Sequence, residues 1–126
     1  MKNENALSNI IIRESIDLHR KLGPGLLETV YLNCLYDKLI NIGLLVKKEV
    51  PIPLIFEGRK MECGYRADLV VENLVIIEVK SIETLHDVHM KQVLTYLKLS
   101  GKKLGLLVNF NVSSLKDKDS LVRIIN

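Results

Sequence analysis

Three charged residues stand near the ends of an apolar stretch, residues 66–81, which reads RADLVVENLVIIEVKS. Asp68 lies near its start, and Glu78 and Lys80 lie near its end. Side chains alternate along a strand, so Glu78 and Lys80 would share one face. Two carboxylates and an ammonium group at the open end of a hairpin are suited to holding a divalent cation and activating a water molecule. The same charges also fit a purely structural role, because charged residues commonly mark where strands leave a core.

The geometry of the hairpin decides whether the two acids meet. The middle of the stretch is rich in β-branched residues, and Glu72-Asn73 can turn between two strands. If these two residues alone form the loop, Asp68 falls opposite Ile77 and points away from Glu78. A joint site needs an offset of one residue, from a three-residue loop or a bulge near Asp68. We predict that offset.

Composition fits an ordinary globular protein and predicts one domain over residues 1–126. The chain has 126 residues, 48% of them hydrophobic and 26% charged, with a net charge of +3. This mild charge permits nucleic-acid binding without arguing for it. Cys34 and Cys63 are far apart in sequence, which disfavours a structural zinc site or an iron–sulfur cluster. No signal-peptide pattern or membrane-length apolar run is seen, so we expect a cytoplasmic protein with no membrane partner.

Hydrophobic periodicity predicts three helices that frame the hairpin. The first, capped by Asn5, Ser8 or Asn9, ends near residue 21, before the helix-breaking Gly-Pro-Gly of residues 23–25. The second covers about residues 26–41, and the third covers about residues 85–99.

The strand pattern predicts a mixed sheet. Residues 45–54 contain two prolines and therefore suit an edge strand. Residues 60–71 and 74–80 follow as strands, and Gly64 is a candidate bulge. The apolar residues 103–110 suit a buried strand, parallel to its neighbour after a crossover helix, and residues 121–125 are a short last strand or a tail. The order α-α-β-β-β-α-β predicts an α/β domain.

Further polar residues lie on the predicted helices. Glu28 falls in the first turn of the second helix, where a Glu is commonly a surface residue that suits the helix dipole. Gln92 and Tyr96 are four residues apart and share a helix face, as packing pairs also do. His86 and His89 are a candidate metal pair, although histidines at a charged helix start are usually solvated. No basic patch with interleaved aromatic residues occurs, which gives little support to a stacking platform for single strands.

Several blocks together carry a family resemblance. Residues 25–31 read GLLETVY, and the blocks HRKLGPG, YRADLVV, IIEVKS, QVLTYL and KLGLLVNF accompany them in order. The sequence resembles the GxxExxY protein family, which is similar to the PD-(D/E)xK nuclease superfamily. The resemblance implies a restriction-endonuclease-like core, in which helices flank a mixed central sheet. It also implies a nuclease that uses Mg²⁺ or Mn²⁺ on DNA, with RNA as an alternative, and a homodimer as one possible assembly.

The resemblance implies roles for six residues. Those implied in catalysis are Asp68, Glu78, Lys80 and Glu28. The implied metal ligands among them are Glu28, Asp68 and Glu78. Gln92 and Tyr96 look like the Gln-xxx-Tyr element of the exonuclease branch and would contact nucleic acid. The chain has Ala67 where the motif has Pro.

Two other functions remain open from the sequence. One is a non-catalytic nucleic-acid-binding or regulatory module that keeps the nuclease fold. The other is a structural or partner-binding domain whose carboxylates pair with lysines.

Overall fold

The computed structural model describes residues 3–126, which form three helices and seven strands. The helices are α1 (Glu4–Leu22), α2 (Glu28–Asn41) and α3 (Asp87–Ser100). The strands are β1 (Val46–Pro51), β2 (Leu54–Phe56), β3 (Arg59–Met61), β4 (Arg66–Val71), β5 (Val75–Lys80), β6 (Leu104–Asn109) and β7 (Leu121–Ile125).

Five of the strands form the central sheet, in the order β1-β4-β5-β6-β7. β5 pairs with β6 in parallel, and the other neighbours pair antiparallel. The proline-containing strand β1 lies at an edge, where a missing N–H costs little, and α3 is the crossover between β5 and β6. The predicted α/β class, the edge strand and the parallel last long strand are confirmed.

The hairpin of β4 and β5 has the predicted offset. Val71 pairs with Val75 and Leu69 pairs with Ile77, so the connecting loop has three residues, 72–74. Glu72 and Asn73 both have positive φ, and the N–H of Leu74 donates to Val71 at 2.9 Å. Continued by one residue, this register puts Asp68 opposite Glu78 on the same face of the sheet.

Helices cover both faces of the sheet. α1 and α2 pack on the face formed by Leu69, Val71, Val75, Ile77, Val79, Leu104, Leu106 and Val108. α3 packs on the opposite face, formed mainly by Ala67, Val70, Ile76 and Leu107. Alternation along β5 therefore turns Glu78 and Lys80, like Ile76, toward the side of α3. Both residues lie near the C-terminal end of β5, where Glu78 is buried and Lys80 is half-buried.

Three boundary predictions were wrong for local reasons. Asn3, rather than Asn5, Ser8 or Asn9, caps α1, because its side chain accepts from the N–H of Ala6 at 2.8 Å. The predicted strand of residues 45–54 ends at Pro51, and the next three-residue strand pairs with β3 in a small separate sheet. The predicted strand of residues 60–71 is interrupted around Gly64, where φ is +79° and the chain leaves the ladder.

None of the helices within residues 3–126 is long and apolar enough to cross a membrane.

Candidate functional site

Asp68 and Glu78 are held side by side by each other's backbone. The N–H of Asp68 donates to Glu78 Oε1 at 2.8 Å, and the N–H of Val79 donates to Asp68 Oδ2 at 2.8 Å. Strand pairing between β4 and β5 ends one residue earlier, at Leu69 and Ile77. Where the backbone hydrogen bonds between the two strands end, the carboxylates accept from the next backbone N–H groups instead. Each strand thereby holds the carboxylate of the opposite strand in place.

Burial makes this pair electrostatically unfavourable as two free anions. Glu78 is only 3% exposed. Burial, followed by the negative charge of Asp68, raises the pKa of Glu78 to about 8. Burial also raises the pKa of Asp68. The Lys80 ammonium lowers both pKa values, but its effect is smaller than that of burial.

The pair lacks a close cationic partner. In the part of the chain that the structure describes, neither carboxylate forms an ion pair within 4.0 Å. Buried carboxylates need a compensating charge or must take up a proton. Mg²⁺ and Mn²⁺ prefer carboxylate oxygens as ligands, so the two adjacent acids fit such an ion.

One cavity of ≈ 620 Å³ brings all six predicted residues together. Its lining includes Glu28, Asp68, Glu78, Lys80, Gln92 and Tyr96. These residues come from two helices and two strands that are up to 68 positions apart in sequence, from 28 to 96. The cavity lies at the end of β5 that follows Glu78, beside the start of β4.

Glu28 lines the cavity from its solvent-exposed rim, and its negative charge contributes to the raised pKa of both Asp68 and Glu78. It is the first residue of α2 and is exposed to solvent. Among residues 3–126, no group of three or more His, Cys, Asp and Glu side chains is placed to hold a metal ion. Two predicted ligands are therefore adjacent, and a ligand role for Glu28 stays a prediction.

Gln92 and Tyr96 face the acid pair from α3. Gln92 Nε2 donates to the Tyr96 hydroxyl at 3.1 Å. Burial, and then the negative charge of Glu78, raises the pKa of Tyr96. Gln92 and Tyr96 line the same cavity as the two carboxylates. The helix therefore presents an amide and a hydroxyl to whatever occupies the cavity.

Tyr31 fixes the loop that precedes Glu28. Its hydroxyl donates to the carbonyl of Gly23 at 2.5 Å and accepts from the N–H of Leu26 at 3.2 Å. Its ring stacks on Phe110, with 4.6 Å between centroids. Ser81 Oγ then donates to the carbonyl of Leu26 at 2.6 Å. The loop is thereby joined to the residue that follows Lys80, which connects the start of α2 to the end of β5.

Asn109 is a positioning residue that sequence reasoning missed. Its side chain is buried, donates to the carbonyl of Ile82 at 2.9 Å and accepts from the N–H of Ile82 at 3.1 Å. It lies beside Lys80 in the parallel register, so it fixes the chain just after the site. The available signal was an amide at the end of an otherwise apolar strand.

The two histidines considered as metal ligands cap α3 instead. His89 Nδ1 accepts from the N–H of His86 at 2.8 Å, and the N–H of His89 donates to the carbonyl of His86 at 2.9 Å.

Comparison with known proteins points to one family. A family model described as the PD-(D/E)XK nuclease superfamily matches residues 5–124. No match was found among curated proteins or among solved structures.

Proposed function

This chain belongs to the PD-(D/E)XK nuclease superfamily, and we propose that it hydrolyses phosphodiester bonds in DNA, with RNA as the alternative, using Mg²⁺ or Mn²⁺. One observation carries the proposal. Glu78 is buried and Asp68 is half-buried, the two are adjacent, and within residues 3–126 neither forms an ion pair; both line a cavity that also contains Lys80. Such a pair is costly unless a cation completes it.

Six residues of the cavity have a task in this reaction. Asp68 and Glu78 would hold the ion. A divalent cation bound there supplies positive charge and a water molecule of lowered pKa. Lys80 orients the attacking water and offsets the negative charge that grows on the phosphate in the transition state. Gln92 and Tyr96 contact the nucleic-acid backbone, and Glu28 orients water or adds a ligand from the rim.

Within the superfamily, we assign the chain to the GxxExxY family. The assignment is supported by what the three signature residues do. Gly25 has φ of +95°, which a side chain would strain. Glu28 opens α2 at the rim of the cavity, and Tyr31 anchors the loop in between. The signature therefore describes a loop and helix start that present one carboxylate to the site.

A second candidate is a non-catalytic nucleic-acid-binding module of the same fold. It is favoured by the finding that only two carboxylates, and no third His, Cys, Asp or Glu within the described residues, are gathered for a metal.

Cleavage assays separate the two candidates. The protein is incubated with single-stranded DNA, duplex DNA and RNA, in Mg²⁺, Mn²⁺ or chelator. We expect metal-dependent cleavage that Asp68→Asn abolishes and that Lys80→Ala slows by about 100- to 1,000-fold, the usual cost of losing one transition-state contact. Glu62→Gln is the matched control, because Glu62 lines the same cavity but is exposed. Absence of cleavage under every condition, with binding retained, would favour the non-catalytic module.

A further inference from the structure

A second cleft adjoins the carboxylate cavity on the other side of Lys80. Its volume is ≈ 510 Å³, within the range of about 300–1,000 Å³ that ligand sites occupy. Tyr65, Lys80, Gln92 and Tyr96 line both spaces. The remaining lining residues, Val88, His89, Lys91 and Thr95, all come from α3. A strand held at the carboxylates would therefore continue directly into this cleft.

Tyr65 is the only residue of the second cleft, apart from Lys80, that does not come from α3. It precedes β4, and its carbonyl accepts from the N–H of Ile52 at 2.8 Å. Its side chain is 41% exposed, although its ring contacts Tyr96 at 5.8 Å between centroids and an interplanar angle of 62°. A single edge contact covers at most one face of a ring, so Tyr65 keeps aromatic surface available to a ligand.

The ring that supports Tyr65 is itself held in place. Tyr96 is 4% exposed and accepts a hydrogen bond from Gln92. On the helix side, the His89 ring is held by the backbone of His86. An aromatic surface that is already in place loses little conformational entropy when a flat ligand stacks on it.

The rest of the cleft suits a nucleotide. Val88 presents an apolar side chain that is 66% exposed, which is suited to contact with a base or sugar. Lys91 is exposed at the same cleft, and Lys80 stands where the two spaces meet. An aromatic face, an apolar contact and cationic groups at a groove are the combination with which proteins hold single strands.

We propose that the second cleft binds an unpaired nucleotide of the substrate strand, directly beside the phosphate that is cut, with its base stacked on Tyr65. The inference rests on the proposed function, because the neighbouring cavity must hold that phosphate. A base inside a duplex is covered on both faces by its neighbours and cannot stack on a side chain. The cleft therefore selects single-stranded or frayed nucleic acid at the position next to the cut.

The test measures binding in chelator, so that it does not depend on cleavage. Fluorescence anisotropy compares a short single-stranded DNA with a blunt duplex of the same sequence, at one fixed salt concentration. We expect Tyr65→Ala to weaken single-strand binding by about 10-fold, as loss of one stacked base does, and to leave duplex binding unchanged. Tyr65→Phe keeps the ring and should bind like the wild type. Phe56→Ala, which removes an aromatic side chain that is 56% exposed outside both clefts, is the matched control.

Lys91→Gln provides an independent variant at the opposite wall. If Lys91 contacts a phosphate, its loss should reduce the slope of log affinity against log salt by about 0.7 for a single strand. A lysine that is merely solvated would leave that slope unchanged.

Two results would overturn the inference. One is wild-type affinity of Tyr65→Ala for the single strand, and the other is equal weakening of single-strand and duplex binding. The outcomes for the two proposals remain distinct. If the wild type cleaves nothing but Tyr65→Ala still loses single-strand binding selectively, the nucleotide cleft stands and the nuclease assignment fails. If cleavage requires Asp68 while Tyr65→Ala leaves single-strand binding unchanged, the nuclease assignment stands and the nucleotide cleft fails.

Discussion

Replacing Glu78 by Gln should remove a pH-dependent penalty on folding. Gln has nearly the same shape, and its amide oxygen can still accept the hydrogen bond that Asp68 donates to Glu78 Oε1. The charge, and its repulsion of Asp68, is lost. In chelator, the variant should therefore be more stable than the wild type at pH 8 and should differ less from it at pH 5.

The sign and size follow from the pKa of Glu78. Its pKa rises from 4.5 to about 8 in the folded protein, so between these values the folded state binds a proton that the unfolded chain has released. The free energy of unfolding of the wild type therefore falls as the pH rises through this window. One proton corresponds to a slope of about 1.4 kcal/mol per pH unit, and the whole shift to roughly 5 kcal/mol at most.

Urea denaturation at pH 5, 6, 7 and 8 measures this slope. We expect the slope of Glu78→Gln to be shallower than that of the wild type by up to about 1.4 kcal/mol per pH unit, while Glu62→Gln follows the wild type. Saturating Mn²⁺ should flatten the wild-type slope, because a cation favours the ionised acids, and should leave the variant unaffected. Equal slopes for the wild type and Glu78→Gln in chelator would refute the reasoning that this carboxylate is buried without adequate compensation.

Two further substitutions test the packing that positions the site. Tyr31→Phe keeps the ring stacked on Phe110 but removes both hydrogen bonds of the hydroxyl. Urea denaturation should show a free energy of unfolding that is lower by about 1–2 kcal/mol. An unchanged free energy of unfolding would show that the loop does not depend on these hydrogen bonds. Gly105→Ala would place a Cβ 2.5 Å from Val93 Cγ1 and should lower the free energy of unfolding by about 1–3 kcal/mol through overpacking. Adding Val93→Ala to Gly105→Ala should restore part of that stability. A Gly105→Ala protein as stable as the wild type would contradict the close approach of α3 to β6.

Local sequence patterns were sufficient for the elements that carry the site. The alternation and turn chemistry of residues 66–81 predicted a hairpin, and the need for a common face predicted an offset of one residue, from a three-residue loop or a bulge; the structure has the three-residue loop. The proline content of β1 predicted its edge position, and the apolar run of β6 predicted a buried parallel strand. Each of these features is set either by residues close together in the sequence or by whether a strand is buried.

Other features depend on contacts that no local pattern contains. The carboxylates of Asp68 and Glu78 accept from backbone N–H groups of the opposite strand, which only the end of the ladder makes available. Tyr65 and Tyr96 lie far apart in sequence, so their contact beside Lys80 was not predicted. A search for aromatic residues interleaved with basic ones along the sequence therefore does not find this aromatic surface beside the acids.

The boundary errors have a similar origin. The sequence predicts a bulge at Gly64 within one long strand, whereas in the structure Gly64, with its positive φ, lies between a small exposed hairpin and β4. Whether a glycine bends a strand or ends it depends on what lies on either side of it in the folded sheet.

The loop of residues 72–74 has a consequence for recognising active relatives of this chain. In the same sequence, a loop of residues 72 and 73 alone would pair Val71 with Leu74, put Asp68 opposite Ile77 and turn Asp68 toward the opposite side of the sheet from Glu78. Every motif residue would still be present, in the same order, in a protein unable to bring its acids together. The separation |i−j| = 10 between Asp68 and Glu78 brings the two acids face to face only because the loop has an odd number of residues. A homologue that keeps all the motif letters, but whose acid-to-acid separation and loop length are both even or both odd, with no compensating bulge, should be classed with the inactive members.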